Sequence, residues 1–242
     1  MSQPTTPTTT SARTSRGARP PGTAGWVRGG LLALALYGAV LAWTTRTPQP
    51  DQVSDPEGWA RFVSSPSYLA EHVASSVVGS VLVVLGTVAL GAALSVGRSP
   101  RLGIAGAGLA LAGQVLFTVP AALSTFATPA IGAAYLAGHR EVMAVEFSPV
   151  ATLVTALGML LTVVGSVLLG VAVWRSAVLP RWSGLLWLAG TLLFYLLGAA
   201  LGMATTGASL LTQPVGAAQM AVGAGGMALG AYRAAGEQAG RQ

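Results

Sequence analysis

SVLLGVAVWRSAVLPRWSGLLWLAGTLLFYLLGAALGM, residues 166–203, decides the fold. It is an apolar run, a short turn holding Arg175, Pro180 and Arg181, and a second apolar run, with Trp174 and Trp182 flanking the turn. Each run can cross a hydrocarbon layer as a helix. Tryptophan favours the lipid–water boundary, and arginine favours its cytoplasmic side. The stretch predicts two membrane helices joined by a tight cytoplasmic turn. A weaker copy occupies residues 86–117, GTVALGAALSVGRSPRLGIAGAGLALAGQVLF, where Arg98, Pro100 and Arg101 take the turn.

Composition extends this reading to the whole chain. Of 242 residues, 52% are hydrophobic and only 8% are charged, against about 25% charged in an ordinary soluble domain. The fold class is therefore all-α, a polytopic membrane helical bundle. The net charge of +6 would suit nucleic acid if the arginines formed one face. They sit singly at the ends of apolar runs instead, so nucleic acid is not an expected partner. There is no Cys, which excludes disulfides, thiol redox chemistry and Cys-ligated metal. The absence of Lys and Asn, beside 32 Gly, resembles the bias of a high-GC bacterial genome, and the bacterial inner membrane is the expected location.

Outward from the hairpin, the remaining segments fall into order. Residues 1–25 are rich in Pro, Thr, Ser and Arg, cannot bury enough surface to offset ordering, and are expected to be a disordered cytoplasmic tail. Six spans are predicted at about 26–45, 73–96, 102–124, 150–174, 182–203 and 214–232, making a transmembrane domain over 26–232, with a cytoplasmic tail at 233–242. The first span reads as an uncleaved anchor, since its polar lead is long and no small-residue cleavage site comes after it. Between the first two spans, Asp55-Pro56-Glu57 has the form of a helix start: a capping side chain, Pro at the first position and an acid in the first turn. Trp59 and Phe62 would share one face of that short helix. Thr128-Pro129, in TFATPAIGAAYLAGHREVMAVEFSP (residues 125–149), reads as a second such start, opening an interfacial or re-entrant helix.

Charge sets the orientation. With both termini inside, ten of the thirteen arginines are cytoplasmic, all but Arg46, Arg61 and Arg140, and six of the seven acids are outside, all but Glu237. This is the asymmetry the positive-inside rule describes.

Two patterns bear on packing. The second and third spans match the fourth and fifth: Gly86 and Gly91 correspond to Gly165 and Gly170, and Pro100-Arg101 to Pro180-Arg181. A parallel duplication would give these matches, and so would chance in Ala/Gly/Leu-rich sequence. Small residues also recur at helical spacing: Thr155, Gly158, Thr162, Gly165 and Ser166 in the fourth span, Gly184, Thr191, Gly198 and Gly202 in the fifth, and Gly216, Gly223, Gly226 and Gly230 in the sixth. Such faces let helix backbones approach closely, where packing rather than the hydrophobic effect holds spans together.

Residues able to carry chemistry are few. No Asp, Glu, Lys, Arg or His lies in the middle of a span, which argues against a proton relay or a charge-coupled pump. The mid-membrane polar candidates are Gln114 and Tyr195, each suited to interhelical hydrogen bonding. At the outer rim, Glu71, His72, Ser76, His139 and Glu146 form a candidate pocket. Two histidines with carboxylates have the chemistry of a zinc or acid–base site, but no spacing resembles HExxH. A solvated rim, with Glu71 pairing with Arg61 or Arg140, is the plainer reading. His72 shares a face with Ser76 one turn deeper and is expected to face the bundle. No catalytic residue, metal or cofactor is indicated, and no nucleophile elbow or phosphate-cradling loop is found.

The WRSAVLPRWSG turn (residues 174–184) and the YLAEH entry to the second span (residues 68–72) resemble the DUF4386-type proteins, six-span bacterial membrane proteins common in actinobacteria. The resemblance would cover residues 26–232 and implies a six-helix integral membrane protein, with no activity to transfer. Function is expected to be a non-catalytic bundle that binds an apolar ligand or a partner membrane protein, in the lipid bilayer and with a second copy of the chain as another candidate partner. The alternatives are a transporter or permease subunit built on the hairpin repeat, and a membrane enzyme or metal site at the outer rim.

Overall fold

A computed structural model describes residues 23–144, 148–206 and 209–239. Most of the predicted tail 1–25, the site candidate Glu146 and the end of the C-terminal tail lie outside the described residues. Within them the chain is all-α, without a strand. The helices are α1 (Thr23–Thr44), α2 (Pro56–Val63), α3 (Pro66–Leu94), α4 (Pro100–Leu136), α5 (Pro149–Ser176), α6 (Arg181–Leu201, continued by Gly202–Thr206) and α7 (Thr212–Ala239). A single 3₁₀ turn, Arg140–Ala144, comes after α4.

Five of them, α1 and α3 to α6, are long and apolar enough to cross a membrane. A helix suits that role, because it satisfies its own backbone polar groups. α7 has 28 residues, but its Gly, Ala and Gln content keeps it out of that set. The starts reflect the local chemistry. Asp55 accepts from the Gly58 amide at 2.9 Å, Ser65 from Tyr68 at 3.2 Å and Ser148 from Ala151 at 3.3 Å, each one residue before a proline. A proline there loses nothing, since the first helical N–H has no intrahelical partner.

α3 starts at Pro66, and Tyr68, Glu71 and His72 lead within it into the apolar stretch that begins at 73. One helix runs further than predicted. α4 continues past 124 to Leu136, so Thr128-Pro129 is not a fresh helix start. A π-helical turn, Leu123–Ala127, carries the backbone up to Pro129, whose missing N–H would break a regular ladder. Similar turns occupy Val73–Val78 in α3 and Leu192–Leu201 in α6.

The six long helices close into a ring in the order α1, α3, α4, α5, α6, α7 and back to α1. Glycines set the close approaches. A Cβ on Gly38 of α1 would lie 2.6 Å from the Ala221 nitrogen of α7, and one on Gly165 of α5 would lie 2.7 Å from the Gly106 carbonyl of α4. Gly184 of α6 would meet the Gly170 carbonyl of α5 at 2.6 Å. The predicted stripe of the fifth span therefore divides. Gly184 faces α5, whereas Gly198 faces Gln213 of α7, where a Cβ would be 2.9 Å from the backbone nitrogen. The π-helical turn explains the division, because each i→i+5 bond inserts a residue and rotates the rest of the helix about its axis.

The two ends of the ring differ in charge. Arg28 stacks over Tyr232 at 5.1 Å, a Cβ on Gly97 would be 3.4 Å from Ser176, and one on Gly230 would be 2.6 Å from Pro180. These contacts gather the Arg98–Arg101 and Arg175–Arg181 turns at one end, called here the arginine end. Its interior is filled by side chains such as Leu31, Leu90, Leu94, Leu169, Val173 and Met227, none more than 1% exposed. At the opposite, acid end, α2 lies against the extension of α4. Trp59, Ala60, Val63 and Tyr68 form a small second core there with Ile131 and Tyr135.

Candidate functional site

The acid half of the ring is hollow. A cavity of about 360 Å³ receives side chains from all six long helices, among them Tyr37, Ser76, Gln114, Thr155, Tyr195 and Gln213. Its floor is a pair of tyrosines. The Tyr37 and Tyr195 hydroxyls lie 2.9 Å apart, either one donating, with Phe194 edge-on to Tyr195 at 4.8 Å. Beneath them begins the apolar filling of the arginine half.

One wall is a relay of neutral hydrogen bonds between α4 and α3. Gln114 Nε2 donates to Ser80 Oγ at 3.1 Å, and Ser80 donates to the Ser76 carbonyl at 2.5 Å. Higher on the same wall, Ser75 Oγ donates to the Glu71 carbonyl at 2.9 Å.

His72 reaches the cavity where this wall meets the rim. Its ring stacks on Tyr68, centroids 3.8 Å apart, and its Nδ1 lies 3.0 Å from the Tyr68 carbonyl. A carbonyl only accepts, so Nδ1 carries a proton here, and in the neutral form of the ring the lone pair is on Nε2. Tyr68 is in turn fixed by donating to the Ser124 carbonyl of α4 at 3.1 Å. The imidazole is thus held by a neighbour that is itself tied to the next helix.

Glu71, the adjacent residue, takes another direction. It pairs with Arg46 at 3.0 Å, its side chain 13% exposed. This corrects the predicted partners. Arg61 is engaged with Glu57 at 2.8 Å, and Arg140 lies over the Tyr135 ring at 5.7 Å. Arg46 also donates to the Trp43 carbonyl and lies over the Trp43 ring at 5.0 Å, so one side chain closes α1 and ties it to α3. Nearby, the Ser54 amide holds the Asp51 carboxyl below its ordinary range, helped by the Val53 amide.

Of the residues singled out from sequence, His72, Ser76, Gln114 and Tyr195 line the same cavity, and Glu71 stands at its edge. His139 is apart, exposed and 3.3 Å from Glu141. Among the described residues no group of three or more His, Asp or Glu could hold a metal ion. Tyr37, Ser80, Thr155 and Gln213 are among the polar lining residues that were not singled out for it. Tyr37 carried a signal, as a polar aromatic in mid-span like Tyr195. Gln213 carried none, because its approach depends on how α7 closes the ring.

Compared with known protein families, curated proteins and solved structures, the chain matches none.

Proposed function

We propose that this chain is a six-span bacterial membrane protein, with α7 as the sixth span and the arginine end in the cytoplasm, whose ring of helices binds a small molecule in a cup open to the outer side. The observation that carries the reading is the cavity to which all six long helices contribute. A ligand-sized, partly polar hollow inside an otherwise close-packed bundle is a binding site by default. The arginine half is filled, so the cup is a dead end, suited to binding rather than to conduction. Three π-helical turns ring the cup, a feature common at functional sites. Kinship with the DUF4386-type proteins is proposed on the WRSAVLPRWSG and YLAEH residues alone.

A second reading, transport, is favoured by one observation. Gly86 approaches α1 and Gly91 approaches α4, while Gly165 approaches α4 and Gly170 approaches α6. In each hairpin the first glycine meets the preceding helix of the ring and the second meets the next one, as a parallel duplication would have it. Uptake into proteoliposomes tests that reading.

The binding reading is tested by native mass spectrometry of the purified full chain. A small molecule is expected to be released from the wild-type protein and to be missing from Ser76→Trp, whose indole fills the cup. The same adduct on Ser76→Trp would place binding elsewhere.

A further inference from the structure

We propose that the cup is entered sideways from the bilayer, through the cleft between α5 and α6, and that it takes an amphiphile with one hydrocarbon chain and an uncharged, oxygen-bearing head. The proposal rests on the cup being a binding site and names what it binds.

The cleft results from unequal packing. At the arginine end α5 and α6 are in backbone contact, with a Cβ on Gly170 only 3.0 Å from the Gly184 carbonyl. Contacts with α5 are concentrated in Arg181–Thr191 and thin out sharply along Leu192–Leu201. Above the Gly170–Gly184 contact the helices diverge, and α5 carries exposed Leu153 and Leu157 and α6 exposed Leu197 and Leu201. Thr155 and Met159 of α5 and Ala199 of α6 line the cavity from either side of this cleft. They are all half-buried, and the proposed route to the lipid-facing surface runs between them. A hydrocarbon chain lying in the cleft would stay among apolar side chains, while the head reaches the tyrosine floor.

The lining decides the head. Among the described residues, no Asp, Glu, Lys or Arg lines the cavity. The nearest ion pair, Arg46–Glu71, is self-compensated. A phosphate or carboxylate drawn into this low-dielectric hollow would lose hydration without gaining a counter-charge. An uncharged head finds matching partners: hydroxyls of Tyr37, Tyr195 and Thr155, amides of Gln114 and Gln213, and the Nε2 lone pair of His72, which accepts from a hydroxyl. Alcohol, ester and amide oxygens satisfy such a set.

The absence of Cys allows a direct test. The full chain carrying Ser76→Cys is placed in phosphatidylcholine nanodiscs, and its reaction with a small water-soluble thiol reagent is timed. The discs contain no additive, 1-monooleoylglycerol, oleate or oleoyl lysophosphatidate. Monooleoylglycerol is expected to slow labelling about tenfold, the ratio that separates a site mostly occupied from one mostly empty, while the two anions leave it unchanged. Adding Ala199→Trp in the cleft is expected to abolish protection without changing labelling in additive-free discs. Equal protection by the anions would overturn the headgroup assignment, and protection surviving the tryptophan would overturn lateral entry. Labelling that no amphiphile slows would overturn the inference alone, since the cup as a binding site is judged by the adduct on the wild-type protein.

Discussion

At the residue scale, the structure depends on a few side chains that close turns and join helices. Ser176 donates to the Val173 carbonyl at 2.9 Å and accepts from the Val178 and Leu179 amides at 3.2 and 3.3 Å, fastening the turn that holds Arg175 and Arg181. The turn needs a left-handed residue, and Ala177 supplies it at φ 54°. A non-glycine residue there costs about 1–2 kcal/mol. Ala177→Gly is therefore expected to raise the unfolding free energy in detergent by about 1 kcal/mol, and a loss of stability would mean that the methyl group packs usefully. Arg46 and Glu71 show the limit of a sequence reading at this scale. Both side chains were visible, but residues so far apart in sequence meet only because α1 and α3 lie side by side.

At the element scale, what local chemistry dictates was legible. The Asp55-Pro56 step marks the start of α2, and the apolar runs mark α1 and α3 to α6. The π-helical turns were not legible, because they arise where prolines and tertiary packing force an extra residue into a turn. They alter the outcome, since the two seven-residue steps from Gly184 through Thr191 to Gly198 stay on one face only in an unbroken α-helix. The glycines of the α4–α5 contact lie outside those turns and keep their predicted face. A Cβ on Gly165 would be 2.7 Å from both the Ala110 Cα and the Gly106 carbonyl, whereas one on Gly108, elsewhere on α4, would meet nothing within 4 Å. Gly165→Ala is expected to cost about 1–3 kcal/mol. Gly108→Ala is expected to be neutral or to stabilise by up to about 1 kcal/mol, and reversible unfolding of the two proteins side by side measures the difference. Equal effects would mean that helix propensity, not backbone proximity, governs these glycines.

At the scale of the whole molecule, composition and charge pattern foretold a membrane bundle with most of its arginines at one end, but not the ring. Closure between α1 and α7 joins the two ends of the described chain and leaves no local signature. Only closure makes Tyr37 meet Tyr195 and brings Gln213 to the same hollow as Gln114, so the candidate site could be read as separate polar residues and not as a cavity. The central claim is that this cavity opens at the acid end and that the acid end faces outward. A membrane-impermeant maleimide applied to intact cells tests it most directly, with Ser76→Cys in the cup and Ser95→Cys at the arginine end of α3 on an otherwise cysteine-free chain. The account predicts that Cys at 76 is labelled in intact cells and Cys at 95 only after the membrane is opened; labelling of 95 but not 76 in intact cells would contradict it.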